Sequence, residues 1–279
     1  MGLGPMFFVG DLGGSAGVGK TFIKDLDLPL TKFSKGVYLT YSPTEFFGIR
    51  AGINLGYLEG DDLEAPAKGG AEMDRRERGL NFKTQISEAY AVVELYPTVL
   101  FEKYDGLKGK IRPYFLAGAG LFHFNPQAKD VNGTWVKTHP LRLEGQGMAE
   151  YPNNKPYSLT QKNLLAGFGV KYYFSESVFT GFEVMHRKLF TDYVDDVSLN
   201  YYIDPIFFDQ YLSASDAEVA RRIFYKGSYT FPTTRPYEEY AERGDPSEND
   251  AYFSVTLKLG WRLGNPDPRG KQLKCPVFY

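Results

Sequence analysis

The stretch "LLAGFGVKYYFSESVFTGFEVMHR", Leu164 to Arg187, decides how the rest of the chain is read. Leu164, Ala166, Phe168, Val170, Tyr172 and Phe174 share one side of an alternating segment, and Leu165, Gly167, Gly169, Lys171 and Tyr173 share the other. After "SES", Val178, Thr180, Phe182, Val184 and His186 alternate with Phe179, Gly181, Glu183, Met185 and Arg187. Period-two patterning on both sides of a very short connection predicts a β-hairpin. One of its faces is greasy, and the other mixes glycine with charge.

The same pattern recurs along the chain. "FFGIRAGINLGY" sets Phe47, Ile49, Ala51, Ile53, Leu55 and Tyr57 against Gly48, Arg50, Gly52, Asn54 and Gly56. "YFSVTLKLGWRL" sets Phe253, Val255, Leu257, Leu259, Trp261 and Leu263 against Ser254, Thr256, Lys258, Gly260 and Arg262. "RPYFLAGAGLFHF" sets Phe115, Ala117, Ala119 and Leu121 against Arg112, Tyr114, Leu116, Gly118 and Gly120. "EAYAVVELY" sets Ala89, Ala91, Val93 and Leu95 against Glu88, Tyr90, Val92 and Glu94. "GVYLTY" and "GPMFFVG" are shorter instances and bring the candidate strands to eight.

Connection lengths alternate. Residues 10–35, 59–81, 125–159 and 189–250 are long, whereas "SPTEF", 97–109 and "SES" are shorter. Short turns at one end and long loops at the other organise outer-membrane barrels. A lipocalin-like barrel is the soluble competitor, but it places apolar residues inside and polar ones outside. Here the mixed face carries Arg50, Glu88, Glu94, Arg112, Lys171, Glu183, Arg187, Lys258 and Arg262, and the other face is almost wholly apolar. The expectation is an all-β, eight-stranded antiparallel transmembrane barrel. Its long loops are extracellular, and its lumen is plugged by those charges among small glycines. Tyr57, Tyr172 and Trp261 at strand ends suit an interfacial girdle.

Composition agrees. The chain has 279 residues, 22 Phe, 21 Tyr, 30 Gly and a formal net charge of −2, so no global basic field argues for nucleic acid. No run approaches the ~18 apolar residues of a membrane helix, and barrel strands need only about 9–11. The first residues carry no basic n-region and read directly as strand, so for an exported protein the expectation is mature or trimmed sequence. The division expected is a barrel over 1–263 and a periplasmic tail over 264–279.

Four features invite chemical readings. "GSAGVGKT", Gly14 to Thr21, fits the phosphate-cradling pattern, but Pro29 breaks the helix the pattern needs and no alternating strand–helix order supports it, so no nucleotide is expected. "TDYVDDVS" groups Asp192, Asp195 and Asp196, which could bind Ca²⁺ but read rather as turn caps or partners of loop arginines. His123, His139 and His186 form no legible Ser/His/Asp set. Cys275, the single cysteine, lies in the expected periplasmic tail, where an intermolecular disulfide and an inert thiol are both open readings. Within the last long loop, "SDAEVARRIFYKG" predicts a short helix over the barrel mouth, capped by Ser215 with Glu218 and stopped at Gly227. Segments 125–157 and 228–250 read as exposed loops.

"FVGDLGG", "RAGINLGYLEGDD", "RGLNFKTQISE", "RPYFLAGAGLFHFNP", "EVMHRKLFTDYVDDVS" and "YFSVTLKLGW", in that order, resemble the PorG-like outer-membrane barrels of the type IX secretion system of Bacteroidota. The resemblance spans almost the whole chain. It implies an integral outer-membrane protein with a periplasmic C-terminus, no catalytic activity and no cofactor. Its partners would be outer-membrane lipid and a periplasmic ring of a PorK-like lipoprotein and a PorN-like subunit, met by turns 42–46, 97–109 and 175–177 and by the tail. The alternatives are a surface adhesin or ligand-binding barrel, and a barrel enzyme acting on lipid or peptide.

Overall fold

The computed structural model describes residues 1–12, 30–64, 71–102, 106–226 and 243–263, with backbone alone for 71–74. Eight long strands alternate along the chain: β1 (Gly2–Val9), β2 (Lys32–Tyr41), β3 (Phe47–Asp61), β4 (Asn81–Leu95), β5 (Ile111–His123), β8 (Thr160–Tyr173), β9 (Val178–Leu189) and β10 (Ala251–Trp261). Two short ones, β6 (Gln127–Lys129) and β7 (Trp135–Lys137), lie between β5 and β8. The helices are α1 (Ala71–Arg78), α2 (Phe208–Tyr211) and α3 (Ala214–Phe224).

Each long strand pairs antiparallel with its neighbours in chain order, and β10 returns to β1 with Gly2 opposite Lys258 and Val9 opposite Ala251. The sheet therefore closes as an eight-stranded barrel with no free edge among these strands, which removes the edge-pairing hazard of an open sheet. The eight expected strands are the eight observed. Two run further than the alternation suggested: β3 and β4 pair from Phe47 opposite Leu95 out to Asp61 opposite Asn81. Their last stretch of ladder projects past their other neighbours, and β6 joins it at Lys83 opposite Gln127.

The inside-out polarity holds throughout. Leu39, Ile53, Phe168, Leu257 and Trp261 are all more than half exposed on the outer face. Arg50, Tyr114, Glu88, Glu94 and Glu183 are buried in the lumen. On β3, β8 and β10 the outward apolar series Phe47–Tyr57, Leu164–Phe174 and Phe253–Leu263 each cover ten residue steps. At about 3.3 Å per residue and a tilt near 40°, each rises roughly 25 Å, the height of a barrel's lipid-facing band. Among the described residues no helix is long and apolar enough to cross a membrane.

Glycine makes the narrow lumen possible by close approach. An added Cβ at Gly169 would lie 2.6 Å from the Tyr114 ring, and one at Gly52 would lie 2.6 Å from that of Tyr90. Large inward rings thus sit over missing side chains on the neighbouring strand.

The described parts of the long loops between β5 and β8 and between β9 and β10 are more ordered than their composition suggested. Segment 125–157 is not simply an exposed loop. Leu141, Leu143 and Met148 bury against Tyr202, Phe208, Ala217, Ala220, Ile223 and Phe224 in a second hydrophobic core. α3 is there as expected, but Ser213 caps it rather than Ser215: its hydroxyl accepts from the Asp216 N–H. Glu218 instead pairs with Arg222 at 2.7 Å. The helix ends at Phe224 with Tyr225 as C-cap, and the expected stop at Gly227 lies outside the described residues.

Candidate functional site

The lumen is built in tiers. At the short-turn end, Arg112 donates to Glu45 at 2.6 Å and, through Nε and Nη2, to Glu102 at 3.0 and 2.9 Å. Arg262 donates to the other oxygen of Glu45 at 2.8 Å. Burial alone would raise the Glu45 carboxyl, but Arg112 and Arg262 outweigh it and hold it below the usual range. Arg262 was expected within the lumen; its side chain lies at the rim, about one-third exposed. It is the last inward position, one residue past the end of β10.

The middle tier is a chain of ions. Arg50 bridges Glu94 through Nε and Glu183 through Nη2, both at 2.7 Å. Lys171 completes Glu94 at 2.8 Å, and Lys258 completes Glu183 at 2.5 Å. The Tyr114 hydroxyl donates to Glu183 at 2.7 Å, and that of Tyr96 donates to Glu94. Lys171 also stands over the rings of Tyr96, Tyr114 and Phe179 within about 5 Å, and Lys258 over Tyr38. The aromatic faces supply the remaining solvation that water would give.

In the third tier Glu88 receives Arg187 at 3.2 Å, Asn163 at 2.7 Å and Tyr252 at 2.9 Å. Arg187 is further held by Ser254 at 2.6 Å. Above it Met6, Leu58, Phe82, Ile86, Phe122, Phe124 and Leu189 form an apolar plug. The lumen is packed from end to end, and every charge named for it is paired. Sequence reading found the cations and the glutamates of β4 and β9. It missed Glu45 and Glu102, which lie in turns where period two gives no inward or outward sense.

Over the long-loop end, loop segments are tied by buried polar groups. Arg78 donates to both oxygens of Asp62, at 2.8 and 3.0 Å, and to the backbone carbonyls of Asp11 and Arg243. Arg243 in turn pairs with Glu144, which accepts the Ser198 N–H at 2.9 Å. Arg222 pairs with Asp130 at 3.1 Å, fixing α3 to the β6–β7 ribbon.

Asp192, Asp195 and Asp196 do not converge as a metal site: among the described residues no group of three such side chains could hold a metal ion. The backbone is left-handed at Asp196 (φ 64°), and its carboxylate accepts from the Tyr157 hydroxyl at 2.6 Å. The Asp195 oxygens take the N–H groups of Val197 and Leu12 instead. Asp195 thus caps the turn through the Val197 N–H. Burial, with Asp250 and Asp11 close by, raises the Asp192 carboxyl to about 9. The same causes push Asp195 well above its ordinary value, and burial takes Asp11 to about 6.

The histidines stand apart. His123 contacts Thr160 at 3.0 Å on the outer face, His139 meets the Tyr157 carbonyl at 3.1 Å, and His186 is on the outward side of β9. The phosphate-loop pattern at Gly14–Thr21, Cys275 and the tail 264–279 lie outside the described residues.

The fold and site define a closed, inside-out β-barrel with a packed ionic lumen and a folded loop cap. No family model matches the chain, and no curated protein matches it.

Proposed function

We propose that the chain is a non-enzymatic integral protein of the outer membrane, a structural subunit of a type IX protein-secretion machine. The observation that carries this reading is the filled lumen: with Arg50, Glu94, Glu183, Lys171 and Lys258 buried and paired across it, the barrel offers its two rims rather than a passage. The resemblance to PorG-like barrels supplies the machine and the side. The short-turn rim and the tail 264–279 face the periplasm and hold a ring of PorK-like lipoprotein and PorN-like subunits to the membrane. The rim is suited to holding a fixed shape. Glu176 accepts the N–H groups of Leu107 and Lys108 at 2.9 and 3.0 Å, joining two turns, and Leu100 and Phe101 project there, both largely exposed.

A detergent pull-down of the tagged chain from its native membranes, read by mass spectrometry, tests this. The ring proteins come along with the full chain and are lost when 264–279 is deleted, and trimming segment 125–157 leaves them in place. The second reading, a surface ligand-binding barrel, is favoured by the independent core of the loop cap. It predicts the reverse dependence.

A further inference from the structure

The outward face of the barrel is not uniform at its long-loop end. On β8, Lys162 lies one outward position beyond Leu164, the outermost member of the apolar series. On β9, Lys188 lies beyond Val184 and His186 in the same way. Register places the two together: Leu164 is opposite Lys188, and Leu121 is opposite Lys162. Lys162 is therefore the diagonal neighbour of Lys188 on one side and of His123, itself opposite Thr160, on the other. Diagonal neighbours are about 7–8 Å apart at the backbone, within reach of lysine side chains.

Lys162 and Lys188 are both exposed, and neither side chain has an ion pair or hydrogen bond among the described residues. The outward positions of β5, β8, β9 and β10 hold no Asp or Glu at all. Adjacent like charges on a sheet face are unfavourable without a counter-charge. Around the two bare ammoniums the surface is apolar, with Leu121, Leu164 and Phe190 about half exposed. An apolar wall ending in two unpaired cations at the upper edge of a band roughly 25 Å tall is complementary to an amphiphile with acyl chains below and an anion above.

We propose that Lys162 and Lys188, flanked by His123, bind the phosphate headgroup of an anionic lipid in the leaflet on the long-loop side. The inference rests on the membrane reading and adds a partner to it. The diagonal spacing of the two lysines fits one phosphomonoester or two neighbouring ones. The acyl chains lie along Leu121, Leu164 and Phe190.

The test folds the chain into vesicles of phosphatidylcholine alone and of phosphatidylcholine with a minority of phosphatidic acid. The lipid retained after detergent extraction is read by native mass spectrometry. Three chains are compared: the unsubstituted protein, K162Q/K188Q, and K35Q, which removes a lone outward lysine on β2. The unsubstituted protein and K35Q retain phosphatidic acid selectively. The double variant folds equally well but loses that selectivity about thirty-fold, as expected for two lysines at an anionic surface. Equal retention by the double variant, or an equal loss in K35Q, overturns the proposal while leaving the barrel in the membrane. Failure of the unsubstituted chain to fold into either vesicle overturns the membrane reading and this inference with it.

Discussion

Glu183 is the residue on which the middle of the lumen depends. It joins Arg50, Lys258 and Tyr114 within a site closed to solvent. A buried pair adds little over a well-packed apolar core, but breaking one leaves a bare charge and costs about 3–5 kcal/mol. Glu183→Ala leaves Lys258 without a carboxylate and Arg50 with half its charge partners. The expected result is a loss of that size in stability, read from the urea midpoint of the detergent-folded protein, with Glu183→Gln losing less because its single amide oxygen keeps an acceptor for one of the two cations. Period two alone put Arg50 and Glu183 on the same face, so their inward sense was legible. Their pairing was not. Residues 133 apart in sequence meet across the lumen only because the barrel closes with a particular stagger, which no local pattern encodes. The two serines at the start of α3 show the same limit. Ser213 and Ser215 each have an acid three residues on, and the backbone, extended at Ser213 (ψ 156°), decides which of them caps.

At the scale of elements, neighbouring strands fit by pairing a missing side chain with a large one. Gly169→Ala pushes a methyl into Tyr114, whose hydroxyl is anchored to Glu183 and cannot swing away. Overpacking of this kind costs roughly 1–3 kcal/mol, seen as a lower temperature for loss of heat-modifiable migration. The high glycine content of the mixed face was visible in the sequence, but which ring covers which glycine depends on register. The loop cap has its own pH dependence. Asp192, Asp195, Asp250 and Asp11 come from three separate segments; burial raises all four above the ordinary carboxylate value, and repulsion within the group adds to it at Asp192, Asp195 and Asp250. A raised carboxylate binds its proton more tightly folded than unfolded, so the stability it contributes is full below about pH 4 and is lost as pH rises through the folded value. Asp11 titrates near 6 and Asp192 near 9. Limited proteolysis of the loop cap therefore accelerates as pH rises from about 4 to about 9, with the barrel strands unaffected. Asp192→Asn and Asp250→Asn together flatten that rise. Sequence reading saw Asp192 and Asp195 as neighbours but had no means of bringing Asp11 and Asp250 to them.

For the whole molecule, the balance of faces favours a lipid surround. The outward faces would expose Phe33, Val37, Leu39, Phe168, Leu257 and Trp261 to water over a continuous band, far more apolar surface than a soluble monomer leaves bare. The inward faces are the polar ones, yet they are closed by paired ions and an apolar plug. In a planar bilayer the protein inserts without producing discrete conductance steps, and steps of porin size would contradict the packed lumen. The decisive measurement runs along β8, residue by residue. With Cys275 replaced by serine, single cysteines are placed at each position from 164 to 173, spin-labelled in vesicles, and compared for access to oxygen and to a water-soluble nickel chelate. The expected pattern has a period of two, with positions 164, 166, 168, 170 and 172 open to oxygen and closed to the chelate, and the intervening positions closed to both. Chelate access at the even-numbered positions equal to that of a surface loop would contradict a lipid-facing wall.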